Sequence, residues 1–116
     1  MSYVDGFVIP LPKNKLTAYK KMAKLGAKIW REHGALDYYE CVGDDLNIKG
    51  ILPFGKLAKL KANETVIFSW IVYKSKAHRN QVNKNVMKDP RMHLYPEMPF
   101  NPKRMTFGGF KMLVKG

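Results

Sequence analysis

The chain reads as an α+β domain with the element order β-α-β-β-α-β, and three observations carry that reading. Glu64 to Tyr73 is β-branched or aromatic almost throughout, with Val66, Ile67, Phe68, Trp70, Ile71, Val72 and Tyr73 in one run, the composition of a strand. Leu16, Tyr19, Met22, Ala23, Ala27 and Trp30 recur at helical spacing with lysines between them, the pattern of an amphipathic helix. Shorter apolar segments bounded by Pro, Gly and Asp flank each helical stretch, as strands do. The order predicts a ferredoxin-like fold, in which two helices cover one face of a four-stranded antiparallel sheet.

The first strand is Tyr3 to Pro10, rich in Tyr, Val, Phe and Ile. Pro10 and Pro12 should end it, because each lacks a ladder donor. Asn14 is the expected N-cap of the first helix. Gly26 inside that helix costs about 1 kcal/mol relative to Ala, and it suggests close approach to the sheet. Gly34 should stop the helix. Leu36 to Val42 is the second strand. Gly43-Asp44-Asp45 opens an irregular stretch reaching to about Asn63, with room for a short helical piece at Phe54 to Leu60. After the third strand, Ser75 caps a second helix bearing Ala77, Val82, Val86 and Met87. Asp89-Pro90 ends it. The last strand is Arg104 to Val114, and Gly108-Gly109 within it implies a bulge or a close backbone contact.

Alternation divides the third strand into two sets, Val66, Phe68, Trp70 and Val72 against Ile67, Ser69, Ile71 and Tyr73. Both sets are largely apolar. Helices cover one face, so a monomer would leave the other wet, and a patch of that kind calls for a partner. A homodimer through the sheet faces hides it.

With 116 residues the chain is one domain, residues 1–116. Hydrophobic residues make up 46%, which supports a packed core and excludes a disordered chain. No apolar run approaches the ~20 residues of a bilayer span, and Met1 to Gly6 lacks the features of a signal peptide. Cys41 is the one cysteine, so a cytoplasmic setting is the expectation. This is a basic protein, with a net charge of +12. Residues 59–116 hold 12 Lys or Arg against 3 Asp or Glu. That field attracts polyanions non-specifically and favours solubility. Scattered lysines more often form a solvated surface, and the third strand lacks the basic-Gly-aromatic lead-in of RNA-recognition domains. Nucleic-acid binding therefore stands as a charge-based alternative. The chain has no Gly-x-Gly-x-x-Gly or Walker A loop.

Several segments together carry a resemblance. They are Tyr3-Val4-Asp5-Gly6-Phe7, Glu32-His33-Gly34-Ala35-Leu36, Glu40-Cys41-Val42-Gly43-Asp44-Asp45, Phe68-Ser69-Trp70, Val86-Met87-Lys88-Asp89-Pro90-Arg91, Met98-Pro99-Phe100, and Lys103-Arg104-Met105 with Gly108-Gly109-Phe110. The chain resembles the YbaA-like bacterial family of unknown function, which is grouped with the dimeric α/β barrels. The resemblance implies a ferredoxin-like subunit that pairs into a dimeric α/β barrel, with a pocket between sheet and helices. The wider group includes cofactor-independent monooxygenases, haem-degrading enzymes, haem peroxidases and isomerases. None of their reaction motifs maps onto this chain, so fold-level analogy does not name a reaction.

His33 to Asp45 packs an imidazole, a thiol and several carboxylates around one strand. His33, at a helix C-terminus, is a candidate general acid or base, and a capping role is the alternative. Glu40 and Tyr38 share one strand face, while Tyr39 and Cys41 share the other. A mid-strand carboxylate facing a pocket must be paired or perturbed, which makes Glu40 a candidate base or the partner of a buried arginine. Arg104 is the expected partner, and its fork also suits an anionic group. Cys41 is better read as a small packing residue than as a nucleophile. Asp44 and Asp45 are candidates for substrate contact or turn capping. Trp70 and Phe68 line a sheet face, as packing or as substrate contacts. His78 and His93 lack metal-ligand spacing, so no metal and no cofactor is expected.

The expected function is a homodimeric small-molecule-binding protein whose pocket draws on His33, Glu40, Asp44, Asp45, Trp70 and Arg104. If it is an enzyme, it would act on a small organic substrate without a cofactor, with Glu40 or His33 as base and Arg104 stabilising developing negative charge. A non-enzymatic ligand-binding or stress-associated protein and a basic nucleic-acid-associated module are the competing classes.

Overall fold

Strand β3 (Glu64–Tyr73) is an inner strand of the sheet, with a neighbour paired along each edge. The computed structural model describes residues 2–116. In chain order the elements are β1 (Tyr3–Pro12), α1 (Leu16–Glu32), β2 (Asp37–Val42), α2 (Phe54–Leu57), β3, α3 (Lys76–Met87) and β4 (Thr106–Lys111). Short 3-10 turns lie at Lys13–Lys15, Pro90–His93 and Pro102–Arg104. The sheet order is β2-β3-β1-β4, and every neighbouring pair is antiparallel. The protein is thus α+β, with a four-stranded antiparallel sheet and three helices.

Strand register sorts the side chains into two layers. Ile9, Leu11, Ile67, Ile71 and Tyr73 project to one face, where they meet Tyr19 and Ile29 of α1 and Val82 and Val86 of α3 in two adjoining clusters. Leu11, Tyr73 and Val86 are fully buried there. Their apolar burial is the main stabilising term of this layer.

The second layer is the other sheet face. It carries Val4 and Val8 of β1, Tyr39 and Cys41 of β2, Phe68, Trp70 and Val72 of β3, and Phe110 of β4. Tyr39 stacks on Trp70 at 5.1 Å and Phe68 on Trp70 at 5.4 Å between centroids. Among the described residues the only charged side chains at paired positions of this face are Asp37 and Glu64, each the first residue of its strand. Tyr39, Phe68 and Phe110 remain 47%, 45% and 60% exposed. The short α2 lies on this side, with Phe54 edge-on to Phe68 at 5.9 Å.

Several local expectations hold. Ser75 Oγ accepts from the His78 N–H at 3.1 Å and starts α3. The helical piece near residue 54 is present as α2. Gly34 follows α1, with His33 as its C-cap. A Cβ on Gly26 would stand 2.9 Å from the Tyr38 hydroxyl, so the glycine does permit α1 to approach the sheet.

Others are corrected. Asn14 is not an N-cap; it lies within the 3-10 turn Lys13–Lys15, which runs straight into α1 without a side-chain cap. Pro10 does not end β1, which runs on to Pro12 and pairs with β3 as far as Pro12↔Glu64. β4 pairs with β1 only to Val8, so both prolines lie where β1 is an edge, and an edge tolerates a missing donor. Arg104 precedes β4 instead of opening it. Gly109 serves a close contact and not a bulge, since the β1–β4 register runs unbroken. A Cβ there would fall 2.3 Å from the Tyr3 hydroxyl.

Candidate ligand-binding site

Between the helix-covered sheet face, α1 and the segment after α3 lies a cavity of about 180 Å3. The strands contribute Phe7, Ile9, Tyr38, Glu40, Ser69 and Ile71 to its lining. α1 contributes Tyr19, Met22, Gly26, Ile29 and Trp30, and the later segment adds Arg91, Met92, Tyr95, Met98, Phe100 and Met105. Ser69 pairs with Glu40 across the β2–β3 ladder. Its small side chain, in a strand otherwise made of large ones, leaves space beside the carboxylate.

Glu40 is the polar centre of this apolar lining. Tyr38, two residues earlier on the same strand face, donates to Glu40 Oε2 at 2.7 Å. Tyr19 reaches across from α1 and donates to Glu40 Oε1. Each carboxylate oxygen thus accepts from one phenol. Burial pushes both hydroxyls well above the ordinary tyrosine range, and the neighbouring Glu40 pushes them further. Both therefore remain donors at neutral pH. Packing orients them as well: the Tyr38 ring leans on Trp30 and the Tyr19 ring on Phe100, with centroids 6.2 Å and 5.9 Å apart.

The other candidate residues do not converge here. His33 Nε2 lies 2.9 Å from Asp89 Oδ2. Asp89 is held by both arms of Arg91, at 3.0 and 2.7 Å, and Arg91 also meets Glu32 at 3.2 Å. This network ties the end of α1 to the turn after α3. Arg104 pairs with Glu64 at 2.5 Å and with the Lys59 carbonyl at 2.8 Å, so the expected Arg104–Glu40 pair does not form. The Pro102–Arg104 turn carries Arg104 to the far end of β3, where the 59–64 turn supplies both acceptors. Asp44 and Asp45 are exposed in the loop after β2. Trp70 belongs to the open sheet face, as does Cys41, which is exposed and not packed beneath a helix. Among the described residues no group of three or more His, Cys, Asp or Glu is placed to hold a metal ion.

Tyr19, Tyr95 and the four methionines were not legible as site residues. Tyr19 falls on the helical stripe and reads as core. The only sequence signal for a Glu40 pincer was Tyr38 at the i−2 position.

The Asp89 network predicts a pH dependence. Arg91 first, then His33, hold the Asp89 carboxyl well below the usual carboxylate range. A group depressed in the folded state stabilises above its unfolded value, about 3.9 for aspartate, and loses that contribution as pH falls below it. Wild-type melting temperature should therefore drop more steeply below about pH 4 than that of Asp89→Asn. Parallel slopes in thermal melts at pH 7 and 3 would contradict this.

The family model described as "Protein of unknown function (DUF1428)" matches residues 2–102. The chain belongs to the DUF1428 family. The proteins named "Uncharacterized protein YbaA" from Escherichia coli K12 and Shigella flexneri are each 44% identical over 115 residues, covering 98% of either chain. These DUF1428 relatives agree with the YbaA-like resemblance read from the sequence, and their names state no reaction. Among solved structures, the "De novo designed protein Foldit4" is similar at a TM-score of 0.52 and 9% identity, over 97% of this chain and 99% of that one. That likeness concerns the fold alone. Among the described residues of this DUF1428 chain, no helix is long and apolar enough to cross a membrane.

Proposed function

We propose that this is a homodimeric small-molecule-binding protein, a ferredoxin-like subunit of a dimeric α/β barrel that holds its ligand against Glu40. The strand order β2-β3-β1-β4 with α1 and α3 on one face supports the ferredoxin-like description. The apolar second face supports pairing of two copies.

The observation that carries the binding reading is Glu40, a carboxylate braced by two phenols inside a lining that is otherwise mostly apolar. Such sites are the usual form of small-molecule pockets: an apolar wall with few convergent polar groups. An engineered apolar cavity of roughly 150 Å3 takes a benzene ring, so this one suits a single ring with a short polar arm.

The test uses methionine as the reporter. Met22, Met92, Met98 and Met105 line the cavity, whereas Met87 and Met112 do not. In methyl-labelled protein titrated with 2-phenylethanol, the first four methyl signals should move together and the latter two should stay. Glu40→Gln should change the affinity. Uniform small shifts of all six signals, or none, would overturn the reading.

A further inference from the structure

We infer that the Glu40 cavity is an ammonium receptor, taking a small organic cation with a ring-sized apolar body. This rests on the ligand-binding reading above and adds the sign of the ligand's charge. Three features of the lining carry it.

First, Glu40 has acceptor capacity left. A carboxylate presents about four lone-pair sites, and the hydrogen bonds from Tyr19 and Tyr38 use one on each oxygen. Neither donor is a cation, so the formal negative charge stays uncompensated.

Second, no cation in the lining is free to meet an anion. Among the described residues that line the cavity, Arg91 is the only Lys or Arg. Its guanidinium is shared between two carboxylates, Asp89 at 2.7 Å and Glu32 at 3.2 Å. An anionic ligand would face Glu40 with nothing to offset the repulsion.

Third, the walls suit a cation. Aromatic rings attract an ammonium group over their faces, and Tyr19, Trp30, Tyr38, Tyr95 and Phe100 all line the cavity. Methionine thioethers adapt to the shape of an apolar body. The net charge of +12 repels cations at long range, but that field is screened beyond roughly 8 Å at physiological salt. Contacts inside the cavity then set the preference.

Three probes of matched size separate the possibilities: 2-phenylethylammonium, 2-phenylethanol and phenylacetate, titrated at pH 7 with the methionine methyl signals as readout. The ammonium probe should bind at least about 10-fold more tightly than the alcohol, and phenylacetate most weakly, since each 1.4 kcal/mol of differential contact is a factor of ten. In Glu40→Gln the amine should fall to within about 3-fold of the alcohol, because a neutral amide removes the charge contact. A far-ultraviolet spectrum and a cooperative thermal melt matching the wild type establish that the variant is folded. The wild-type ranking decides the matter even without the variant. If the alcohol or the carboxylate binds as tightly as the amine, the ammonium assignment fails and the cavity reading survives. If none of the three moves the cavity methionines, both fail.

Discussion

Trp70→Glu is expected to turn a dimer into a monomer. Sedimentation of the parent protein at low micromolar concentration should give about twice the 13.4 kDa chain mass, and the variant should give the single-chain value. Trp70 lies at the centre of the open sheet face, stacked between Tyr39 and Phe68. Central aromatic residues dominate interface energetics, and losing one costs at least about 2 kcal/mol. A carboxylate buried there without a partner adds several kcal/mol more. Together these weaken association by roughly 1,000-fold or more, at about 1.4 kcal/mol per tenfold. The helix-side core is on the opposite face, so the far-ultraviolet spectrum should be retained. A variant that still sediments at the doubled mass would show that the interface lies elsewhere, and a monomeric parent would sink the dimer outright.

Arg79→Met is the second large effect, expected in stability. Asp5 is 1% exposed on β1, and its nearest cation is Arg79, with Nε 3.7 Å from Oδ1. The Arg79 guanidinium also lies over the Tyr3 ring at 5.0 Å and donates to the Tyr3 hydroxyl at 3.3 Å. Removing one partner of a buried pair strands the other, at a cost of about 3–5 kcal/mol. For a domain near this size that lowers the melting temperature by roughly 12–20 °C.

The pH dependence fixes the cause. Burial pushes the Asp5 carboxyl above its ordinary value, opposed by Arg79 and then by Asn83 and Tyr73. Without Arg79 it rises further. A carboxyl raised in the folded state stabilises below its unfolded value, and that contribution is lost as pH rises through the folded value. The deficit of Arg79→Met should thus be largest near neutrality and should shrink toward about pH 4. Acid loss through Asp89 is common to both proteins and cancels in the difference. Adding Asp5→Asn to Arg79→Met should recover part of the loss at pH 7. An equal deficit at both pH values would show lost packing instead of a stranded charge.

Local features of the chain were legible because their causes are local. The bounds of β3, the Ser75 cap, the stop at Gly34 and the shared face of Tyr38 and Glu40 all follow from residues within one turn or one strand of each other. Where local reading failed, a distant strand decided. Pro10 stays inside β1 because β4 stops short of it. Gly109 is explained by Tyr3, at the other end of the chain.

The candidate site divides in the same way. The sequence by itself determined that Glu40 and Tyr38 share one strand face, because alternation admits only two sides; the tertiary structure decided that this face meets the helices. The sequence also determined that β3 is apolar on both faces, and hence that one face needs a cover. Only the tertiary structure decided the partners. Glu40 meets Tyr19 across 21 residues, Arg104 meets Glu64 across 40, and His33 meets Asp89 across 56. Those pairings depend on the rotation of α1 about its axis and on the path of residues 88–105 around the cavity. Periodicity fixes which side of an element is apolar, but charged groups with several possible partners are matched only when packing brings two surfaces together.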